Sequence, residues 1–145
     1  MPAHDWWIPC SQIAGFKLNQ PPPNWVEFER QFVLVEHDDN DRFCSVKDYE
    51  ASDGTCTITI DHEGIAAASF SDHFFVAGTN IIGLATDEAL SIIAAKFDLN
   101  AKSPRFDTWV EVAPNVLQRF IDFDELCLFL TENEKRVIIA ADVFG

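Results

Sequence analysis

Two histidines lie beside carboxylates and form the cluster that could carry metal or acid–base chemistry. His62 lies between Asp61 and Glu63, and His73 follows Asp72. Imidazole and carboxylate groups at such short spacing can bind zinc or transfer protons. Both histidines fall at predicted turns, where solvated polar side chains are the usual occupants. We therefore expect no metal, no cofactor and no catalytic residue here.

Two other acidic clusters resemble calcium or glycosidase sites only superficially. The run Asp-Asp-Asn-Asp at 38–41 is rich in oxygen ligands but lacks the sixth-position glycine and the final glutamate of an EF-hand loop. Asp122, Asp124 and Glu125 could supply paired carboxylates for sugar hydrolysis, but acids in a turn between strands explain them more simply. No G-x-S-x-G elbow, Walker loop or GxGxxG motif occurs. The sequence predicts a protein that is not an enzyme.

The charge balance excludes two classes of partner. Ten Lys and Arg against 24 Asp and Glu give a formal net charge of −14. That charge repels nucleic-acid phosphates and anionic lipid headgroups, whereas it favours a basic protein or a bound cation. Alternatively, the acidic surface only keeps the protein soluble. We expect no nucleic acid, no membrane and no small-molecule substrate as a partner.

The acidic side chains are densest in one stretch of the chain. Seven of them lie from Glu36 to Asp53, with only Arg42 and Lys47 to offset them. Charges on loops can reach into a partner's cleft while a sheet holds them in place. Two acidic sets are the predicted partner-binding residues: Asp38, Asp39 and Asp41, and secondly Asp122, Asp124 and Glu125.

Length and composition favour one domain over 1–145 in the cytoplasm. A chain of 145 residues can bury a core without a disulfide or a metal. Its start lacks the basic and apolar regions of a secretory signal, and no run of eighteen apolar residues occurs. The cysteines lack metal-ligand spacing and lie in apolar or alternating segments, so we expect reduced, free thiols. These are Cys10, Cys44, Cys56 and Cys127.

The clearest secondary-structure signal is a helix over Thr86 to Phe97. Thr86 suits the N-cap position, where a side-chain oxygen accepts a hydrogen bond from a first-turn amide. Leu90, Ile93 and Phe97 recur at three- and four-residue spacing, which places them on one face. We expect that face to be buried against a sheet.

The rest of the chain predicts strands, apart from its beginning. The segment 1–23 is irregular, and its Trp6 and Trp7 are either a lid over the core or an exposed anchor for a partner. Asn24 can cap a short helix after three prolines. Alternating polar and apolar residues elsewhere indicate antiparallel strands. The predicted fold is α+β: mostly antiparallel β-sheet meander, with one main amphipathic helix packed on it and a short N-terminal helix.

An extended segment, a helix and a hairpin follow one another in the second half of the chain. NIIGLATDEA at 80–89 opens the helix, and FDELCLFLTENEKRVIIAADV from Phe123 forms the hairpin. This arrangement, over 55–143, resembles small immunity proteins of bacterial polymorphic-toxin and contact-dependent growth inhibition systems. The resemblance implies a cytoplasmic protein that neutralises a cognate toxin by tight, stoichiometric binding, often by covering the toxin's active site.

Charge and resemblance lead to the same class of partner. The resemblance implies that the toxin is often a nuclease with a basic cleft, and an acidic inhibitor would be steered to such a cleft. We therefore expect an immunity protein that meets a basic nuclease toxin through its acidic loops or through Trp6 and Trp7. Two alternatives remain: a small hydrolytic or metal-dependent enzyme that uses the His62 and His73 region, and a non-catalytic adaptor domain.

Overall fold

The computed structural model of this chain describes residues 6–35, 46–97 and 104–145. Within these ranges the helices are α1 (Trp25–Gln31) and α2 (Thr86–Phe97), and a short 3-10 helix spans Asp124–Leu126. The strands of the described chain are β1 (Trp7–Ile8), β2 (Gln12–Ile13), β3 (Phe16–Lys17), β4 (Phe32–Val35), β5 (Lys47–Ala51), β6 (Cys56–Asp61), β7 (Gly64–Phe70), β8 (Phe75–Val76), β9 (Thr79–Asn80), β10 (Arg105–Phe106), β11 (Val110–Ala113), β12 (Val116–Phe123), β13 (Leu128–Asn133) and β14 (Ile138–Phe144).

Nine strands of the described chain form one large antiparallel sheet. Eight of them lie in the order β10-β12-β13-β14-β7-β6-β5-β4, and β11 also pairs with β12. Strands β4 to β7 form one meander and β12 to β14 another. The two meanders meet where β14 pairs with β7, with Val143 opposite Ala68. The predicted antiparallel sheet is therefore confirmed, although its two halves join through the last strand of the chain.

One face of this sheet carries the core, because side chains alternate along each strand. Phe123 lies opposite Leu128, Leu128 opposite Val143, and Val143 opposite Ala68. All four are buried, and they share one hydrophobic cluster with residues of both helices and of β2. We call this the inner face of the sheet and the opposite side the outer face.

The chain before α1 is more regular than predicted. Strands β1, β2 and β3 form a small antiparallel sheet where the sequence predicts an irregular segment. No helix precedes α1 in the described residues, so the structure does not show the predicted N-terminal helix before Trp25. The first helix is α1, which the side-chain oxygen of Asn24 caps by accepting a hydrogen bond from the Glu27 amide at 3.1 Å.

Helix α2 has the predicted bounds, but its buried face is rotated. Ala89 and Ile93 are fully buried, whereas Leu90 and Phe97 are half-buried at the edge of the core. The hydroxyl of Thr86 is also buried, and it donates a hydrogen bond to the carboxylate of Glu132. The rotation follows from this contact, which draws the first residue of the helix towards β13.

We predict that Ile93→Ala lowers the free energy of unfolding by about 2–5 kcal/mol, because it leaves a cavity in a fully buried site. Leu90→Ala should cost roughly half as much, since less apolar area is lost. Equilibrium urea unfolding measures both values. Val26→Ala, at a side chain that is 65% exposed on α1, is the control and should change stability by less than about 0.5 kcal/mol. Equal losses for Ile93→Ala and Val26→Ala would contradict this packing.

Candidate partner-binding surface

A buried carboxylate organises one end of the sheet. Glu132 of β13 is fully buried on the inner face, opposite Arg119 of β12. One carboxylate oxygen accepts from Nε of Arg119 at 2.5 Å, and the other accepts from Nε of Arg136 at 2.7 Å and from the Thr86 hydroxyl. Burial favours a raised pKa for Glu132, but the three hydrogen bonds outweigh burial and lower the pKa overall.

The guanidinium of Arg119 extends this cluster to β10. It lies over the rings of Phe106 and Trp109, 4.7 Å from each ring centroid. Cations over aromatic faces gain about 0.5–2 kcal/mol, with the higher values at desolvated sites. Arg119 therefore holds the segment that contains β10 against β12.

The second predicted acidic set is divided between buried and exposed positions. Asp122 is 3% exposed, because β12 continues through it instead of turning. Its Oδ2 accepts from Nη2 of Arg105 at 2.5 Å, and its Oδ1 has no hydrogen-bond partner among the described residues. Asp124 and Glu125 are exposed on the 3-10 helix; we call these two residues the acidic turn. The prediction that Asp122 is a displayed turn charge is wrong.

The pKa of Asp122 is raised. Burial is the main cause, and the neighbouring carboxyl of Asp124 raises the pKa further, while the charge of Arg105 offsets part of the effect. Asp122 therefore holds its proton more tightly than an ordinary aspartate. The first predicted set, Asp38, Asp39 and Asp41, lies outside the described residues.

A disulfide links the N-terminal sheet to the acidic turn. Cys10 and Cys127 are bonded although 117 positions separate them in the sequence. The prediction of free thiols at these two positions is wrong, because only the tertiary structure brings them together. Cys56 is a free, half-buried thiol whose pKa is raised by burial. Cys44 lies outside the described residues.

The disulfide also bears on the cellular compartment. Disulfides persist mainly in oxidising compartments. The prediction of a cytoplasmic location rested partly on free thiols, and the disulfide removes that support. No helix in the described part of the chain is long and apolar enough to cross a membrane.

The two N-terminal tryptophans pack onto the core. Trp7 is 7% exposed, and its ring lies 4.9 Å from Phe74 and 5.1 Å from Phe97. Trp6 is half-buried, with its ring 5.3 Å from those of Phe70 and Phe74. The pair covers one end of the core, as a lid would. Trp7 is therefore not the exposed anchor that the sequence also allowed.

The two histidines each pair with their own neighbouring carboxylate. His62 lies 3.8 Å from Glu63, and His73 lies 3.1 Å from Asp72. In 6–35, 46–97 and 104–145, no group of three or more His, Cys, Asp or Glu residues is placed to hold a metal ion. The structure thus brings no metal-ligand set together at the predicted His62 and His73 region.

A cleft of about 510 Å³ lies beside the core and contains both Cys56 and His73. Its walls combine aromatic rings, such as Trp6 and Phe70, with polar side chains, such as Asp53 and Thr55. A catalytic thiol needs a lowered pKa, because the thiolate is the nucleophile. Burial raises the pKa of Cys56 instead, which favours the thiol over the reactive thiolate.

Sequence reasoning missed the phenylalanines on the outer face of the sheet. Phe120, Phe129 and Phe144 lie there on β12, β13 and β14, and all three are partly or largely exposed. Strand alternation could have assigned each ring to one side of its own strand. Their proximity depends on the pairing of β12, β13 and β14, which the sequence does not state.

Comparisons with known proteins do not extend these observations. No family model, curated protein or solved structure matches the chain. Function is therefore inferred from the residues of this chain.

We predict that replacing both Cys10 and Cys127 by serine lowers the free energy of unfolding by about 2–5 kcal/mol, because a long loop is no longer closed in the unfolded chain. Urea unfolding of the oxidised protein gives the value. Dithiothreitol should destabilise the wild type by a similar amount and leave the double variant unchanged. The same unfolding midpoint for the wild type with and without dithiothreitol would contradict a stabilising disulfide.

A second prediction concerns acid stability. Because the folded pKa of Glu132 is lowered, its stabilising contribution is complete above its ordinary pKa of 4.5 and is lost as the pH falls through the lower folded value. Glu132→Gln should lower the free energy of unfolding by about 3–5 kcal/mol at pH 7, since it breaks a buried ion pair. The stability of this variant should also fall less steeply than that of the wild type as the pH is lowered.

Asp142→Asn is the matched control for this experiment. Burial raises the folded pKa of Asp142, so the folded state binds the Asp142 proton more tightly and gains stability as the pH falls. Asp142→Asn should therefore make the acid loss steeper, opposite in sign to Glu132→Gln. Urea unfolding between pH 7 and pH 3 measures both, and parallel pH profiles for the three proteins would refute the assignment.

Proposed function

We propose that this protein is an immunity protein that binds a cognate toxin, a basic nuclease, in a tight stoichiometric complex and thereby neutralises it. The main support for this proposal is charge. The chain has a net charge of −14, and Asp124 and Glu125 are exposed together on one turn. A cleft that binds phosphates is basic and attracts such a surface. The resemblance of 55–143 to immunity proteins supports the same class of partner.

The acidic turn is suited to enter a cleft because the chain holds it from several sides. Strands β12 and β13 flank it, and the Cys10–Cys127 disulfide crosslinks its end to the N-terminal sheet. The carbonyl of Cys127 also accepts a hydrogen bond from the Phe144 amide at 3.1 Å. A loop that is ordered before binding loses less conformational entropy in the complex. In this proposal, inhibition requires positioning of charge and no catalysis.

The proposal includes two further elements from the sequence. Asp38, Asp39 and Asp41 would form a second acidic contact, between β4 and β5. A cytoplasmic location is also part of it, because the nucleic acid that such a toxin attacks is found there. The Cys10–Cys127 disulfide would then have to resist the glutathione pool, as structural disulfides of low reduction potential do.

We predict that Asp124→Lys with Glu125→Lys slows association with the toxin about tenfold or more and weakens its salt dependence, because exposed charges act mainly by steering. The toxin tested is the product of the gene immediately upstream, and surface plasmon resonance at two salt concentrations measures the rates. A triple reversal of Asp38, Asp39 and Asp41 to lysine tests the other acidic set.

The control compares single reversals. Glu29→Lys changes the net charge as much as Asp124→Lys does, but on the exposed side of α1. It should slow association less than Asp124→Lys. Unchanged rates for both reversed acidic sets would remove the acidic loops from the interface. No binding by the upstream gene product would count against the immunity proposal and favour an adaptor domain or an enzyme.

A further inference from the structure

A row of opposed side chains crosses the outer face of the sheet. Asp122 of β12 lies opposite Phe129 of β13, Phe129 lies opposite Asp142 of β14, and Asp142 lies opposite Ser69 of β7. Directly opposed residues in an antiparallel sheet project from the same face, with Cβ atoms about 4.5–5.5 Å apart. The ring of Phe129 is therefore flanked on both sides by carboxylates.

Two more phenylalanines extend the apolar part of this surface. The ring centroids of Phe120 and Phe144 lie 6.4 Å and 5.1 Å from that of Phe129. Phe120 is 48% exposed, and the other two rings are half-buried. We call these three residues the aromatic strip. In the described chain, both helices and the N-terminal sheet bury their apolar residues in the inner-face core, so these elements leave the strip uncovered.

Carboxylates dominate the charge of the outer face. The strand registers place five acidic residues and one basic residue there within the described chain. They are Asp48, Glu50, Asp61, Asp122, Asp142 and Arg105. A cationic partner is therefore complementary to this face, whereas an anionic partner is repelled.

The two carboxylates beside Phe129 are incompletely compensated. Asp142 accepts a hydrogen bond from the Ser69 hydroxyl, yet burial still raises its pKa. Asp122 pairs with Arg105 through one oxygen, and its other oxygen has no partner in the described residues. A desolvated carboxylate gains most from an added opposite charge. Asp142 is partly exposed, so a cation can reach it from outside, whereas Asp122 is buried and keeps its ion pair with Arg105.

We propose that the outer face binds an arginine-bearing segment of a basic protein, with a guanidinium on the aromatic strip and its N–H groups donating to the carboxylate of Asp142. Arginine suits this site because its planar guanidinium stacks on aromatic rings and forms paired hydrogen bonds with carboxylates, which the lysine ammonium does not. The inference deepens the proposed function and rests on it for the identification of the partner as the toxin.

A second copy of this chain would be a poor occupant. Each copy carries a net charge of −14, and two outer faces in contact would bring Asp122 and Asp142 of one copy near carboxylates of the other. Like charges brought together across an interface disfavour association. The charge of the outer face thus favours a basic partner over self-association.

The test uses a short capped peptide in which arginine alternates with alanine, and its lysine analogue as the matched probe. Two-dimensional amide NMR of the full chain follows each titration. We expect the arginine peptide to shift the amide signals of Phe129, Asp142 and Phe144, with an affinity about three- to fivefold above that of the lysine peptide. Shifts confined to the acidic turn, or equal affinities for the two peptides, would overturn the proposal.

Variants separate the site from general charge attraction. Phe129→Leu keeps an apolar side chain but removes the ring, and Asp142→Asn removes one charge; each should weaken the arginine peptide about three- to fivefold. Val26→Ala on α1 is the control and should bind as the wild type does. Unaltered affinity in both Phe129→Leu and Asp142→Asn would refute the site.

The upstream gene product serves as the second probe and distinguishes this inference from the proposed function. If it binds the wild type and Phe129→Leu equally well while the Asp124 and Glu125 reversal weakens it, the outer-face site fails and the immunity proposal stands. If the arginine peptide binds the outer face and the upstream gene product does not bind the protein, the immunity proposal fails and the outer-face site stands.

Discussion

The buried carboxylate of Glu132 is the constraint on which much of this structure depends. Its two oxygens accept hydrogen bonds from Thr86, Arg119 and Arg136, so one side chain connects α2, β12 and the turn that precedes β14. A buried charge is costly unless such partners compensate it. The position of α2 is therefore coupled to the hairpin of β13 and β14, and the hairpin to the long strand β12.

In the described part of the chain, the elements that pack on the sheet lie on its inner face. Because Thr86 is drawn to Glu132 on the inner face, α2 packs there, where Ile93 is fully buried. Helix α1 and the N-terminal sheet contribute to the same core. Among the described residues, the other side of the sheet carries the half-buried ring of Phe129 between the buried Asp122 and the half-buried Asp142.

Charge has opposite roles in the two faces. On the inner face, hydrogen bonds lower the pKa of Glu132 and its charge supports the fold. On the outer face, burial raises the pKa of Asp122 and Asp142, because it disfavours their ionised forms. In the proposed complex, a guanidinium beside Asp142 would favour the ionised form of that carboxylate. The proposed toxin partner is thus favoured by local chemistry as well as by net charge.

The sequence by itself determined the local features of this protein: the bounds of α2, the cap at Asn24, the antiparallel strands and the net charge. Each follows from neighbouring residues, because capping and periodicity act over a few positions. The tertiary structure alone decided the Cys10–Cys127 disulfide, the burial of Asp122 and the row around Phe129. These features depend on which strands pair and in what register, and the partners are far apart along the chain. The sequence around an aspartate near a turn does not show where the preceding strand ends. If the strand ends before the aspartate, the side chain is exposed; β12 instead continues through Asp122, which is buried.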